Sequence, residues 1–211
     1  GLQRIFHSAC RAVGAPFCFV TPASSTQETN QRLAEAILEY VGVPFAVSRN
    51  SVARTKLPCR FEVVDHHPSV ILDGAHNTLK MAALFEQLRT LSYARLVVVF
   101  GIFDDKDTTS IVRIIARRAN TVILTQGLTS AMSGRHWATG SALATAFHNQ
   151  NNQLVIIQQK SPLRALATAR TIAGGDDAIL VTGSFYLAGI VRAVQYPEFQ
   201  MLRKRSLFFR G

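Results

Sequence analysis

Cysteine pairs, long apolar runs, phosphate-loop motifs and acidic side chains are all scarce in this chain of 211 residues. Its three cysteines, Cys10, Cys18 and Cys59, are odd in number, widely spaced and never in a Cys-x-x-Cys pair. That argues against a disulfide framework or a zinc site and fits a reducing cytoplasm. No uninterrupted apolar stretch reaches the roughly 20 residues that span a bilayer, and the first residues carry no apolar signal core. A soluble, cytoplasmic protein with no membrane partner is therefore expected. G-x-x-x-x-G-K-[ST] is absent, so no phosphate-cradling P-loop is expected in these residues. No G-x-G-x-x-G follows a strand-like run either, which counts against a free-standing dinucleotide-binding module. Acidic residues number 13 against 23 Lys and Arg, a net charge of +10. A basic surface attracts polyanions, but the basic residues are scattered apart from Arg203-Lys204-Arg205. Without a basic stripe interleaved with aromatics, nucleic acid is not the expected partner; small anionic substrates, or plain solubility, explain the sign.

What is present is apolar content enough for a sizeable core, 48%, arranged in short alternating segments. Gly1–Val13 reads as a short helix, Pro16–Val20 as a strand and Thr26–Val41 as a helix with Leu33, Ala36, Ile37 and Tyr40 on one stripe. Phe45–Leu57 is polar and basic with no strong period and reads as a linker. Beyond it, strands are expected at Phe61–Val64, Val70–Leu72, Leu96–Phe100, Thr121–Thr125, Leu154–Gln158 and Ile179–Thr182. Helices are expected at Leu79–Leu91, Thr108–Arg118, Ala138–His148, Ser161–Ala173 and Phe185–Val194. This alternation predicts a Rossmann-like α/β domain: a mostly parallel open sheet with helices on both faces. The expected organisation is a fragment of a second α/β domain at 1–44, a linker at 45–57, the main domain at 58–195 and a basic tail at 196–211.

Three strand-like runs end abruptly in polar clusters. They are ILDGAHN (Ile71–Asn77), LVVVFGIFDDKD (Leu96–Asp107) and AILVTGSFYLAGIVR (Ala178–Arg192). Parallel strands would bring all three tips to one sheet edge, where open α/β sheets bind ligands. Asn77 and Ser184 suit helix caps, and Thr182-Gly183-Ser184 at a helix start suits an anion.

Taken with CRFE (Cys59–Glu62), the elements DGAHN (Asp73–Asn77), GIFDDKD (Gly101–Asp107) and VTGSFYL (Val181–Leu187) stand in the order of another group of proteins. The chain resembles the C-terminal part of folylpolyglutamate synthase/dihydrofolate synthase, within the Mur ligase superfamily, over about Pro58–Arg192. Gly1–Val43 is only loosely similar to the end of the preceding ATPase domain. The resemblance implies an ATP- and Mg²⁺-dependent ligase that joins L-glutamate to folate or dihydropteroate through an acyl phosphate. The P-loop and the Mg²⁺ ligands would lie on an N-terminal ATPase domain, the implied partner, so this chain would supply one wall of the active site and be inactive alone. A monomer is expected.

The implied roles fall on few residues. Asp73, His76 and Lys106 are the catalytic candidates. Arg60, with Asp73 and His76, would bind nucleotide, the Arg60 guanidinium reaching phosphate. Ser184 and Lys106 would hold glutamate or another anion. Arg135 is a weaker match, and Tyr186 reads equally well as a core residue. The sequence departs from the family where Cys59 replaces glycine, Thr78 replaces proline and Ile190 replaces glutamate. The alternatives are a non-catalytic remnant, a free-standing nucleotide-binding module and a cell-wall Mur ligase domain, which the Gly-Ala between Asp73 and His76 disfavours.

Overall fold

The computed structural model describes residues 1–24, 26–127 and 134–204. The chain divides into two compact units, Gly1–Lys56 and Leu57–Gly211. The first holds three helices, α1 (Leu2–Ala12), α2 (Thr26–Tyr40) and α3 (Phe45–Arg54). Two expectations fail here. Pro16–Val20 forms no strand, because a lone apolar run without a neighbour has nothing to pair with. Residues 45–57, expected as a linker, contain α3, which starts after Pro44, a residue with the fixed φ that suits a helix entrance. Its polar, weakly periodic sequence buries only Ser48 among the described residues of this unit.

The second unit is built on a six-stranded sheet of order β1-β2-β6-β3-β4-β5. The strands are β1 (Glu62–His66), β2 (Ser69–Leu72), β3 (Leu96–Phe100), β4 (Thr121–Leu124), β5 (Val155–Gln158) and β6 (Ala178–Thr182). Only the β1–β2 pair is antiparallel; β2, β6, β3, β4 and β5 run parallel. The helices α4 (Thr78–Leu88), α5 (Thr108–Ala116), α6 (Gly140–Gln150), α7 (Pro162–Ile172) and α8 (Phe185–Gln195) return the chain between strands or follow the last one. A sixth helix of this part, α9 (Glu198–Lys204), occupies the expected tail up to Lys204; Arg205 and the residues after it lie outside the described part.

The continuous apolar runs of the central strands follow from burial on both faces. All five residues of β3 and of β6 are buried. One face packs Ile71, Val98, Phe100, Val122 and Leu180 against Met81, Leu84, Ile111, Ile115 and Phe147 of α4, α5 and α6. The other packs Val70, Val97, Val99, Ile123, Ile179 and Val181 against Ala165, Ala169, Leu187 and Val191 of α7 and α8. Each fully buried Val, Leu, Ile, Phe or Met among them contributes about 1.5–3 kcal/mol of hydrophobic free energy. The order β2-β6-β3 then matters for the site: β6 sits between the other two strands whose tips carry polar groups, and all three point the same way.

Candidate active-site wall at the carboxyl edge of the sheet

The loop after β2 is laced by main-chain bonds to β6 and its loop and to the turn before β1. The Asp73 N–H donates to the Val181 carbonyl (3.0 Å), the Gly183 N–H to the Ala75 carbonyl (3.1 Å) and the Gly74 N–H to the Cys59 carbonyl (2.9 Å). Gly183 has φ +103°, a backbone region that side chains rarely adopt, and a Cβ there would lie 2.5 Å from the Gly101 carbonyl. A Cβ on Gly74 would lie 2.3 Å from the Phe185 ring. Glycine is thus required at both places for the loops to approach.

Arg60 and His76 meet on one aromatic ring. The Arg60 guanidinium lies over Phe185 at 4.3 Å, and the His76 ring meets Phe185 edge-on with centroids 5.9 Å apart. His76 Nδ1–H donates to the Gly74 carbonyl at 2.8 Å, so Nε2 is the nitrogen left for a ligand, and it donates to an anion when the ring carries both protons as an imidazolium. Arg60 itself is exposed. A cation–π contact of this kind is worth about 0.5–1 kcal/mol at an exposed site and mainly orients the guanidinium. Phe185 escaped the sequence reading, which looked at its neighbours Ser184 and Tyr186. The usable signal was an aromatic placed directly after Gly-Ser at the start of a helix, where it overhangs the strand tips.

Asp73 is engaged by the main chain of two loops. Its Oδ2 accepts from the Phe61 N–H at 2.8 Å and its Oδ1 from the Ala75 N–H at 2.7 Å. The carboxylate is buried, and it ties the Arg60 loop to its own loop. Burial pushes its pKa above the ordinary value, while the two N–H donors and the charges of Arg60 and Lys80 pull it partly back. Asn77 caps α4 by accepting from the Lys80 N–H at 2.9 Å. Ser184 caps α8 in the same way, accepting from the Tyr186 N–H at 3.1 Å, and is buried. Tyr186 is no core residue: it is 56% exposed and meets Phe103 edge-on, while Leu187 takes the buried position.

Lys106 lies in the loop after β3, on the same sheet edge, but its charge is shared. Asp105 stands between Lys106 (3.2 Å) and Arg135 (2.9 Å), and these partners hold the Asp105 carboxyl below the ordinary range. The Arg135 guanidinium also stacks over Phe103 at 4.2 Å, beside Trp137. The structure therefore brings Arg60, His76, Asp73 and Ser184 together around Phe185 and β6, with Lys106 and Arg135 joined through Asp105 after β3.

Chemically this edge is an anion-receiving surface. It offers a guanidinium, an imidazole nitrogen and the start of an 11-residue helix. The Thr182 hydroxyl, at the tip of β6, is buried without a partner among the described residues. Those donors fit phosphate or carboxylate oxygens. They do not fit a divalent metal: among the described residues no three His, Cys, Asp or Glu side chains converge to hold one.

Comparison with known proteins agrees with this geometry. The family model for the Mur ligase glutamate ligase domain matches residues 59–185, and the chain belongs to that family. It is 30% identical over 102 residues to a dihydrofolate synthase/folylpolyglutamate synthase of Buchnera aphidicola, covering 47% of this chain and 24% of that protein. Its fold is similar to that of E. coli FolC solved with DHPP and ADP, with a TM-score of 0.68 and 24% identity over 90% of this chain and 41% of that one. It is also similar to the Yersinia pestis bifunctional folylpolyglutamate synthase/dihydrofolate synthase with Mn, AMPPNP and L-glutamate bound, with a TM-score of 0.65 and 24% identity over 84% of this chain and 42% of that one. The chain thus spans well under half the length of these relatives.

Proposed function

We propose that this chain forms the substrate- and nucleotide-closing wall of an ATP-dependent ligase that adds L-glutamate to folate or dihydropteroate. The observation that carries the reading is the convergence of Arg60 and His76 on Phe185, at the one sheet edge where the loops after β2 and β6 are bonded together. In such a ligation the acceptor carboxylate takes the γ-phosphoryl group of ATP, and the glutamate amine then displaces phosphate from the acyl phosphate. Negative charge spreads over oxygens in both steps.

Each residue has a place in that chemistry. Arg60 offers its fork to phosphate oxygens, held flat by Phe185. His76, as an imidazolium, donates its Nε2–H to phosphate or to a substrate carboxylate. Asp73 fixes the two loops that carry them, and the remaining lone pairs of its carboxylate accept from a ribose hydroxyl or the incoming ammonium. The α8 N-terminus and Lys106 receive the glutamate carboxylates. Divalent-metal ligands and a P-loop are assigned to a separate ATPase domain, since neither a metal cluster among the described residues nor the P-loop motif in the sequence is found here.

The test has two arms. Purified residues 1–211 should show no ATP-dependent glutamate ligation, and steady turnover by them would sink the division of labour. Joined to or mixed with a P-loop domain of a folate-type ligase, the chain should support glutamate addition that Arg60→Ala abolishes. Activity of that assembly that is indifferent to Arg60 would sink the site.

A further inference from the structure

We infer that Glu62 and Arg192 form a buried positioning device that sets Arg60 in the site. The inference deepens the proposed function and rests on its reading of Arg60 as the group that meets phosphate.

The backbone on either side of Arg60 is unusual. Cys59 has φ +54° and Phe61 φ +46°, both in the left-handed region that residues other than glycine seldom enter. A cysteine here adopts a conformation that glycine enters most readily. A loop so shaped does not hold itself. It is held by the Cys59 N–H donating to Glu62 Oε2 at 2.8 Å, the Cys59 carbonyl accepting from Gly74, and the Phe61 N–H donating to Asp73.

Glu62 is in turn held by Arg192. The Arg192 Nε–H donates to Oε1 at 3.0 Å and to Oε2 at 2.8 Å, and both side chains are buried. Arg192 is fastened from its other side as well. Its Nη1 lies 3.6 Å from Met201 Sδ, and its guanidinium lies 4.3 Å over the Tyr196 ring. These partners come from the end of α8 and from α9, far along the chain from Arg60.

A buried ion pair is weak evidence of stabilisation, because apolar side chains of similar volume often serve as well. What apolar side chains cannot do is accept the Cys59 N–H. Glu62 Oε2 accepts from both Cys59 and Arg192, so the pair is the link from α8 to the loop. The same helix carries Phe185 beneath the Arg60 guanidinium, seven residues and about two turns before Arg192. One rigid element therefore fixes both the backbone and the head group of Arg60. Glu62, within the Arg-x-Glu element, is a positioning residue rather than a ligand, and Arg192 is its anchor.

The experiment compares the wild-type 211-residue chain with Arg60→Ala and the double variant Glu62→Leu/Arg192→Met, which removes both buried charges together. Thermal unfolding, amide exchange by NMR and the Arg60 side-chain shifts are read in each. The double variant should keep a cooperative transition and unchanged exchange in β6. Its Cys59 and Phe61 amides should exchange about 10- to 100-fold faster, and the upfield shift that the Phe185 ring imposes on the Arg60 side chain should collapse. Intact protection at Cys59 and Phe61 with an intact Arg60 shift would overturn the proposal. If the double variant does not fold, Glu62→Met/Arg192→Leu removes the same acceptor and both charges with a different packing, with the same amides expected to speed up and unchanged rates overturning the idea. ADP titration of each variant joined to the P-loop domain separates the two layers. Arg60→Ala and the double variant should weaken ADP binding by similar factors. If Arg60→Ala leaves it untouched, the phosphate reading of Arg60 fails, and the exchange rates still decide the positioning.

Discussion

His76 has one ring nitrogen committed and one available, and that division decides what its loss should do. Nδ1 is tied to the Gly74 carbonyl, the ring leans on Phe185, and the residue is only half-buried. In the proposed ligase, assembled with a P-loop domain, His76→Ala should therefore cost little thermal stability. Loss of one charge-stabilising contact in a desolvated site should lower kcat/KM by about 10²–10³. Full activity per folded molecule, measured beside an unchanged Tm, would reduce His76 to a turn residue. Cys59 offers a second check at this scale. Burial, aided by Glu62, pushes its thiol up to about 11, whereas Cys18 is exposed. Since the thiolate is the nucleophile, iodoacetamide at pH 8 should modify Cys18 in the native chain and reach Cys59 only after denaturation. Peptide mass mapping reads this directly, and early labelling of Cys59 would contradict the loop geometry around Arg60.

Among the elements, the opposite edge of the sheet is held by a carboxylate just as the site is. Asp177, buried at the start of β6, accepts from the Arg95 N–H at 3.0 Å and the Gly174 N–H at 2.8 Å, and pairs with the Arg95 guanidinium at 2.7 Å. Its pKa is lowered from 3.8, first by the Arg95 side chain and then by the Gly174 N–H. A carboxyl depressed in the folded state stabilises above its unfolded pKa and loses that contribution as pH falls through its folded one. Asp177→Asn should accordingly lower stability by about 1–2 kcal/mol at pH 7. The gap in Tm should hold down to about pH 4 and close below the ordinary carboxylate range. A gap that stays constant into strong acid would mean that the charge contributes nothing.

The strands that frame both edges were legible in the sequence because they are buried on two faces, and an uninterrupted run such as LVVVF at β3 has few other uses. The tips of β2 and β6 were legible for the same reason, since Asp73 and Ser184 break such runs abruptly. Pro16–Val20 misled because an apolar run does not reveal whether it has a neighbour. The roles of Asp73, Glu62 and Phe185 stayed hidden for a related reason. Asp73 answers the N–H of Phe61, and Glu62 answers Arg192, 130 residues away. Such partners are set by topology, and no local pattern of residue types announces them.

At the scale of the whole molecule the two units differ in how much they bury. Unit Leu57–Gly211 encloses two apolar layers, one on each face of its sheet. Unit Gly1–Lys56 leaves Leu2, Ile5, Phe6, Ile37, Tyr40 and Phe45 each more than half exposed. Among its described residues only Ser48 is buried. Fixing a residue's backbone costs about 1–2 kcal/mol of conformational entropy, and helices of 10 to 15 residues are marginal in water without an apolar face to pack. The first unit has almost no burial to offset that cost. Limited chymotrypsin digestion of the purified chain should therefore cut first at Phe6, Tyr40 or Phe45 and leave a resistant fragment beginning near Leu57. That fragment should retain the thermal transition of the whole chain to within a few degrees, because the cooperative core lies entirely within it. Removing the first 56 residues should lower helical ellipticity without moving Tm. Simultaneous digestion of both units, or a transition lost on truncation, would show that the helices of the first unit stabilise the sheet after all.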